Sequence, residues 1–176
     1  MRTILLASIA AVAVTSAASA QATEQSFHLG LGYTALDGEG ATLGAITARG
    51  GVDFSRYWGV EADLHVGVVD ESVDAGPPVG EVDISADFGA AAFVVGRLPV
   101  GEDSMSNLFV RAGYGTITVE GSAMGVTVAE DVDGFALGVG GEFYFGGPNG
   151  VRLDYTRFEG DDEALDSYGI AYIRRF

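Results

Sequence analysis

Val60-Glu61-Ala62-Asp63-Leu64-His65-Val66-Gly67-Val68 alternates apolar residues with polar or small ones without a break. Successive side chains of an extended chain point to opposite faces, so Val60, Ala62, Leu64, Val66 and Val68 share one side and Glu61, Asp63, His65 and Gly67 the other. The same period of two runs through the chain after Gln21, and a period of 3.6 is found nowhere in it. Upstream, Phe27, Leu29, Leu31 and Tyr33 oppose His28, Gly30, Gly32 and Thr34. Next, Ile46, Ala48, Gly50, Val52 and Phe54 oppose Thr47, Arg49, Gly51 and Asp53. Downstream, Val82, Ile84, Ala86, Phe88, Ala90 and Ala92 oppose Asp83, Ser85, Asp87, Gly89 and Ala91. Leu108, Val110, Ala112 and Tyr114 then oppose Arg111, Gly113 and Gly115, and Ile117 and Val119 fall out of phase, which predicts a bulge there. Phe135, Leu137, Val139, Gly141, Phe143 and Phe145 oppose Ala136, Gly138, Gly140, Glu142 and Tyr144. A short segment sets Val151, Leu153 and Tyr155 against Arg152, Asp154 and Thr156. The last sets Tyr168, Ile170, Tyr172 and Phe176 against Ser167, Gly169, Ala171 and Arg175. The expectation is eight strands and no helix.

The connections alternate as the side chains do. Turns are expected around Ser55 to Trp58, Leu98 to Asn107 and Gly146 to Gly150, the last with strong turn chemistry in Gly146-Gly147-Pro148-Asn149-Gly150. The other connections are Gly-rich and acidic. Asp37 and Glu39, then Asp70, Glu71, Asp74 and Glu81, then Glu120, Glu130, Asp131 and Asp133, and finally Glu159, Asp161, Asp162, Glu163 and Asp166 make up 15 of the 25 acids. One end of the molecule is therefore expected to be strongly negative.

Composition removes several classes of protein. The 176 residues carry nine Arg, no Lys, no Cys and a net charge of −16, so the clustered cations that neutralise nucleic-acid phosphates are missing. Disulfides, thiolate metal sites and cysteine nucleophiles are excluded. Mean hydropathy is positive, which argues against disorder. Yet the longest apolar run, Ile4 to Val14, is about half of the ~20 residues a spanning helix needs. That run follows Arg2 and precedes Ala18-Ser19-Ala20, the order of a secretory signal peptide. Residues 1–20 are read as that signal, with cleavage between Ala20 and Gln21, and residues 21–176 as one domain. Export leaves 156 residues with eight Arg against 25 acids, net −17.

A sheet with one apolar face suits a soluble barrel whose apolar face points in, or a membrane barrel whose apolar face points out. The polar faces decide between them. They hold mostly Gly, Ala and Ser with isolated charges of both signs, where a water-facing sheet carries Lys, Glu, Thr and Ser. Eight strands leave an interior just wide enough for side chains to fill, and buried charges must be paired. Arg49, Arg111, Arg152 and Arg175 are expected to pair inside with Glu61, Asp63, Asp83, Asp87, Glu142 and Asp154, with His65 in the same network. Aromatics support the outward apolar face. Phe54, Tyr57, Trp58, Phe143 and Phe145, with Tyr172 and Phe176, fall at the turn end. Tyr33, Tyr114, Phe135 and Tyr155, with Phe158 and Tyr168, fall at the loop end, as two interfacial girdles would. Phe135 to Phe145 spans about 33 Å of strand, or about 25 Å of height at barrel tilt. The fold class read here is an all-β, eight-stranded antiparallel up-and-down transmembrane β-barrel.

The signal, the eight amphipathic strands and the closing Tyr172-Ile173-Arg174-Arg175-Phe176 resemble small outer-membrane barrels of the OmpA transmembrane-domain, OmpX and opacity-protein type. That resemblance implies an outer-membrane location and makes Tyr168, Ile170, Tyr172 and Phe176 the signal read by the barrel-assembly machinery. Arg174 departs from the pattern by placing a charge in the outward series, and is expected to snorkel to the periplasmic headgroups. Outer-membrane lipid and lipopolysaccharide, and host or neighbouring-cell surface molecules, are the further partners implied, with the barrel a monomer and nucleic acid excluded.

Chemistry is sparse. No serine follows His65 on its own face, and His28 sits near the start of its strand, so both histidines read as interior network members and not as bases. No helix follows Gly30 and Gly32 or Gly138 and Gly140, and their glycines read as relief of crowding on an inward face. Gly121-Ser122-Ala123-Met124-Gly125 is not a nucleophile elbow. The acidic loops lack the ligand spacing of a calcium loop. No catalytic residue, cofactor or metal is expected. The expected role is structural and surface-interacting, in envelope integrity, adhesion or host contact. A narrow channel for small solutes is the second reading, and a lipid A-modifying enzyme the third.

Overall fold

A computed structural model describes residues 25–38, 41–69, 71–74, 81–101, 106–123, 126–160 and 164–176. Among them are nine strand segments and no helix: β1 Ser26–Gly38, β2 Ala41–Asp53, β3 Trp58–Val69, β4 Glu71–Asp74, β5 Glu81–Val100, β6 Ser106–Ala123, β7 Val126–Tyr144, β8 Asn149–Gly160 and β9 Ala164–Arg175. Each pairs antiparallel with its neighbours. β1 pairs with β9, and β3 and its short continuation β4 both pair with β5, so the sheet closes on itself as eight staves. Closure removes the free edges that an open sheet would expose within the bilayer.

Alternation becomes a sidedness that the strand pairing makes uniform. Leu29, Leu31, Leu64, Val66, Val110, Leu137, Leu153 and Ile170 lie outside and exposed, while Arg49, Glu61, Asp63, His65, Arg111, Glu142, Arg152 and Asp154 lie inside and buried. The turns at one end are short and chemically fixed. Ser55 Oγ accepts the N–H groups of Tyr57 (3.3 Å) and Trp58 (3.0 Å). Gly146 adopts φ 74°, a left-handed conformation that costs glycine little, and Phe145 N–H then reaches Asn149 O at 3.0 Å.

Two expectations change. The acidic stretch after the fifth stave is largely strand: Glu120 lies in β6 and Glu130, Asp131 and Asp133 in β7, paired down to Ala123↔Val126. β7 runs eight residues beyond Gly134, where its pairing with β8 stops, about 26 Å of strand that pairs on one side only, with β6. The bulge expected at Ile117 is also corrected. β6 and β7 pair through Ile117 without a register shift, and Ile117 is out of phase because it points into the interior, 3% exposed. The irregularity belongs to β5, between Ala86 and Gly89.

Candidate functional site

Buried titratable groups converge in the interior. Five arginines (49, 97, 111, 152 and 175) meet five carboxylates (Asp53, Glu61, Asp63, Glu142 and Asp154) in its turn-end half, so formal charge cancels. Arg49 makes a two-pronged bond to Asp63 (2.7 and 2.8 Å) and donates from Nη1 to Asp154 (2.9 Å). Arg111 donates to the same two carboxylates, at 2.7 Å to Asp63 and 3.3 Å to Asp154, and to Thr156 Oγ1 at 2.5 Å. Arg152 is wholly enclosed. It donates to Glu61 (2.8 and 3.0 Å), Glu142 (3.0 Å) and Asp154 (3.1 Å), so three strands converge on one guanidinium. A planar fork with five N–H donors can hold one carboxylate with two prongs and still reach others, a geometry that the three-donor ammonium of a lysine does not offer, and the chain has no lysine.

Rings complete the lower half. Arg111 lies over Phe93 (4.3 Å to the centroid), Arg152 over Phe109 (3.8 Å) and Arg175 over Tyr144 (4.3 Å). An inward glycine is what makes room for such planes: a Cβ on Gly138 would lie 2.5 Å from Thr156 Oγ1 and 2.9 Å from Arg111 Nε. Arg175 sits at the mouth, a third exposed, with Nη2 3.9 Å from Glu142. Asp83 and Asp87 lie on a part of β5 whose side chains are outside those described.

His28, read as an interior network member, has Nε2 3.1 Å from Glu61 Oε1. Two further members are not marked by the sequence reading: Arg97 bridges Asp53 and Glu61, and Asn107 donates to Glu142 at 3.4 Å. Ala91, Phe93, Val95 and Arg97 continue the inward series from Gly89. The run from Ala90 to Val95 is apolar on both faces, so the alternation that marks the phase disappears there, and only counting in twos from Gly89 recovers Arg97.

Above the charges lies a layer of neutral polar groups. Thr34 and Thr47 share a hydrogen bond of 2.6 Å, and Thr47 Oγ1 lies 2.8 Å from His65 Nδ1. The hydroxyl beside His65 thus comes from the neighbouring strand, where a search along its own strand does not find it. The loop-end interior holds an apolar cluster: Leu36, Leu43, Ala45, Ala91, Ile117, Ala136 and Phe158 pack together, with Leu165 against them and Ser167 buried in register with Leu36. Phe158, expected in the loop-end girdle, belongs to this cap and is 3% exposed. A side chain one position out of the outward series at the end of β8 must point inward, and there the interior takes a ring because no charge is near to be paired.

On the outer wall, Phe54, Tyr57, Trp58, Phe143, Phe145, Tyr172 and Phe176 are exposed towards the turn end. Towards the loop end, Tyr114 meets Phe135 edge-on at 5.5 Å and Tyr155 meets Tyr168 at 5.3 Å, with Tyr33 exposed on β1.

The sequence matches the outer membrane protein beta-barrel domain over residues 4–174. The chain belongs to that outer-membrane β-barrel family. Its location is accordingly the outer membrane, and the exposed wall is the lipid-facing one. Among solved structures it is similar to Ail, the attachment invasion locus protein of Yersinia pestis, crystallised with the heparin analogue sucrose octasulfate (TM-score 0.62, 17% identity, 88% of this chain and 100% of that one). It is also similar to OprG of Pseudomonas aeruginosa (TM-score 0.66, 14% identity, 86% and 95%) and to neisserial surface protein A (TM-score 0.52, 7% identity, 89% and 98%). Comparison with curated proteins gives no match. At these identities the likeness is one of fold. The barrel of this chain is filled by charge below and by an apolar cluster above.

Proposed function

We propose that this barrel is a structural and surface-interaction protein: a closed stave in the outer membrane that presents acidic hairpins and loops outside the cell, for envelope integrity, adhesion or host contact. The filled interior carries this reading. A solute would have to break a compensated ion network and then wet an apolar cap, so the parts free to act are those outside the barrel. Charge narrows the partner. The loop-end segments hold 15 acids and, beside them, a single arginine, Arg157, already paired with Asp166 at 3.2 Å. Ail was crystallised with a polyanionic heparin analogue; an acidic crown favours the opposite, a cationic surface or peptide.

The biogenesis that fits is export on residues 1–20, followed by recognition of Tyr168, Ile170, Tyr172 and Phe176 by the barrel-assembly machinery. The mature barrel acts as a monomer in contact with lipid and lipopolysaccharide. It is not an enzyme on this reading: His28 is engaged by Glu61 and His65 by Thr47, both inside the closed wall and away from any acyl chain. Planar-bilayer recording of refolded protein tests the proposal. The wild type and Arg111→Ala should give no sustained current, because the cap still seals the second variant. Large open-channel currents unaffected by Arg111→Ala or Glu142→Ala would make the barrel a channel, and turnover of purified lipid A lost in His65→Ala would make it an enzyme.

A further inference from the structure

Arg174 is the one cation in the outward series of β9, whose other charge, Asp166, is paired with Arg157 at the loop end, and neither the barrel nor its surface role uses it. It stands in register with Asn149 on β8 and Leu29 on β1, at the height of the turn-end aromatics, and its side chain is exposed. Its guanidinium lies over the Phe176 ring at 5.2 Å, which holds it against the wall instead of hanging into water. No carboxylate pairs with it among the described residues. Glu142, the acid of the nearby mouth, points inside to Arg152 and Arg175.

Its neighbour is oriented as well. Tyr172 donates its hydroxyl to Asn149 Oδ1 at 2.6 Å, which leaves the carboxamide NH2 as the donor that Asn149 can offer elsewhere. Arg174 and Asn149 together therefore offer a planar cationic fork and two amide N–H donors, side by side on adjacent strands. An oxyanion with several acceptor oxygens matches that set. The flanks are hydrocarbon: Leu29 and Phe27 on β1, Tyr172 and Phe176 on β9, all about half exposed or more.

From this juxtaposition we infer that Arg174 and Asn149 form a headgroup site for an anionic phospholipid. Its phosphate would be held by the guanidinium and the carboxamide, and its acyl chains would lie on Leu29 and the β9 aromatics. This gives the snorkelling arginine a specific ligand, and it depends on the outer-membrane barrel but not on the surface role proposed above.

Native mass spectrometry of the refolded full-length chain, released from micelles containing phosphatidylglycerol or phosphatidylcholine, tests the site. Folding is verified beforehand by faster gel migration without boiling. The wild type should retain phosphatidylglycerol in preference to phosphatidylcholine, and Arg174→Gln should lower that retention about fivefold, the weight of one cation at a lipid surface. Asn149→Asp preserves size and the Tyr172 bond while adding negative charge, so it should lower retention too, and it serves if Arg174→Gln does not refold. Arg157→Gln, at the other end, should retain as much as the wild type. Equal retention of the two lipids by the wild type, wild-type retention by either rim variant, or an equal loss in Arg157→Gln would overturn the site.

Discussion

The two halves of the barrel interior solve one packing problem by opposite means. Near the turns, five arginines and five carboxylates fill the space, and each stays because a particular partner meets it. Near the loops, leucine, alanine, isoleucine and phenylalanine fill it, held by shape and volume alone. The charged half is intolerant in a directional way. Removing one member strands the others in a low dielectric, while removing a matched pair need not. The apolar half loses only contacts when a side chain is shortened. Between them, the Thr34–Thr47–His65 chain lets polar groups bond to one another, and the buried side-chain nitrogens without a hydrogen-bond partner among the described residues are His65 Nε2, Arg97 Nε and Arg175 Nε.

The comparison can be broken first at Arg152. Replacing it with Met fills similar volume but leaves Glu61, Glu142 and Asp154 short of a cation, and should destabilise the barrel by about 4 kcal/mol. The measurement is urea unfolding of protein refolded in vesicles, read from Trp58, the only tryptophan in the chain. A loss below that of a cap truncation would mean that the network is softer than its geometry implies. In the cap, Leu36→Ala should cost about 3 kcal/mol by leaving a cavity, with no dependence on ionic strength. A marked salt effect in that variant would show that charge reaches the cap after all. The smallest effect belongs to the outer wall. Arg157→Gln removes an exposed pair with Asp166 and should change stability by no more than about 0.5 kcal/mol, a difference that high salt erases. A loss comparable with Arg152→Met would place Arg157 in a structural role that its exposure does not suggest.

Legibility in the sequence followed the strength of the alternation. From Val60 to Val68 every outward and inward residue could be named, and Arg49, Glu61, Asp63, Arg111, Glu142, Arg152 and Asp154 were expected on the inward face where the structure has them. From Ala90 to Val95 both faces are apolar, so the alternation gives no phase for the ring of Phe93 or for Arg97 just beyond the run; Phe109 on β6 is another inward ring under a guanidinium that the alternation does not mark. Ile117 and Phe158 were misread for the same reason in reverse. An inward residue was assumed to be small or charged, so an inward apolar one was taken for a bulge or a girdle. The acidic hairpin reads as loop in the sequence because Gly and acid dominate it, although its backbone pairs as strand as far as Ala123↔Val126.

By itself, the sequence determined that the chain makes period-two strands, which residues of each strand share a face, where the tight turns fall, and that the apolar face must meet lipid. Only the closed barrel decided which charges pair. Arg49 and Asp154 are 105 residues apart and Arg152 and Glu61 are 91 apart, and nothing local relates them. The physical reason is that a period of two fixes the side of the sheet on which a residue lies, whereas its height in the barrel and its partner across the interior follow from the register between strands and from closure. The same closure stacked the inward residues into a charged floor, a hydroxyl layer and an apolar cap.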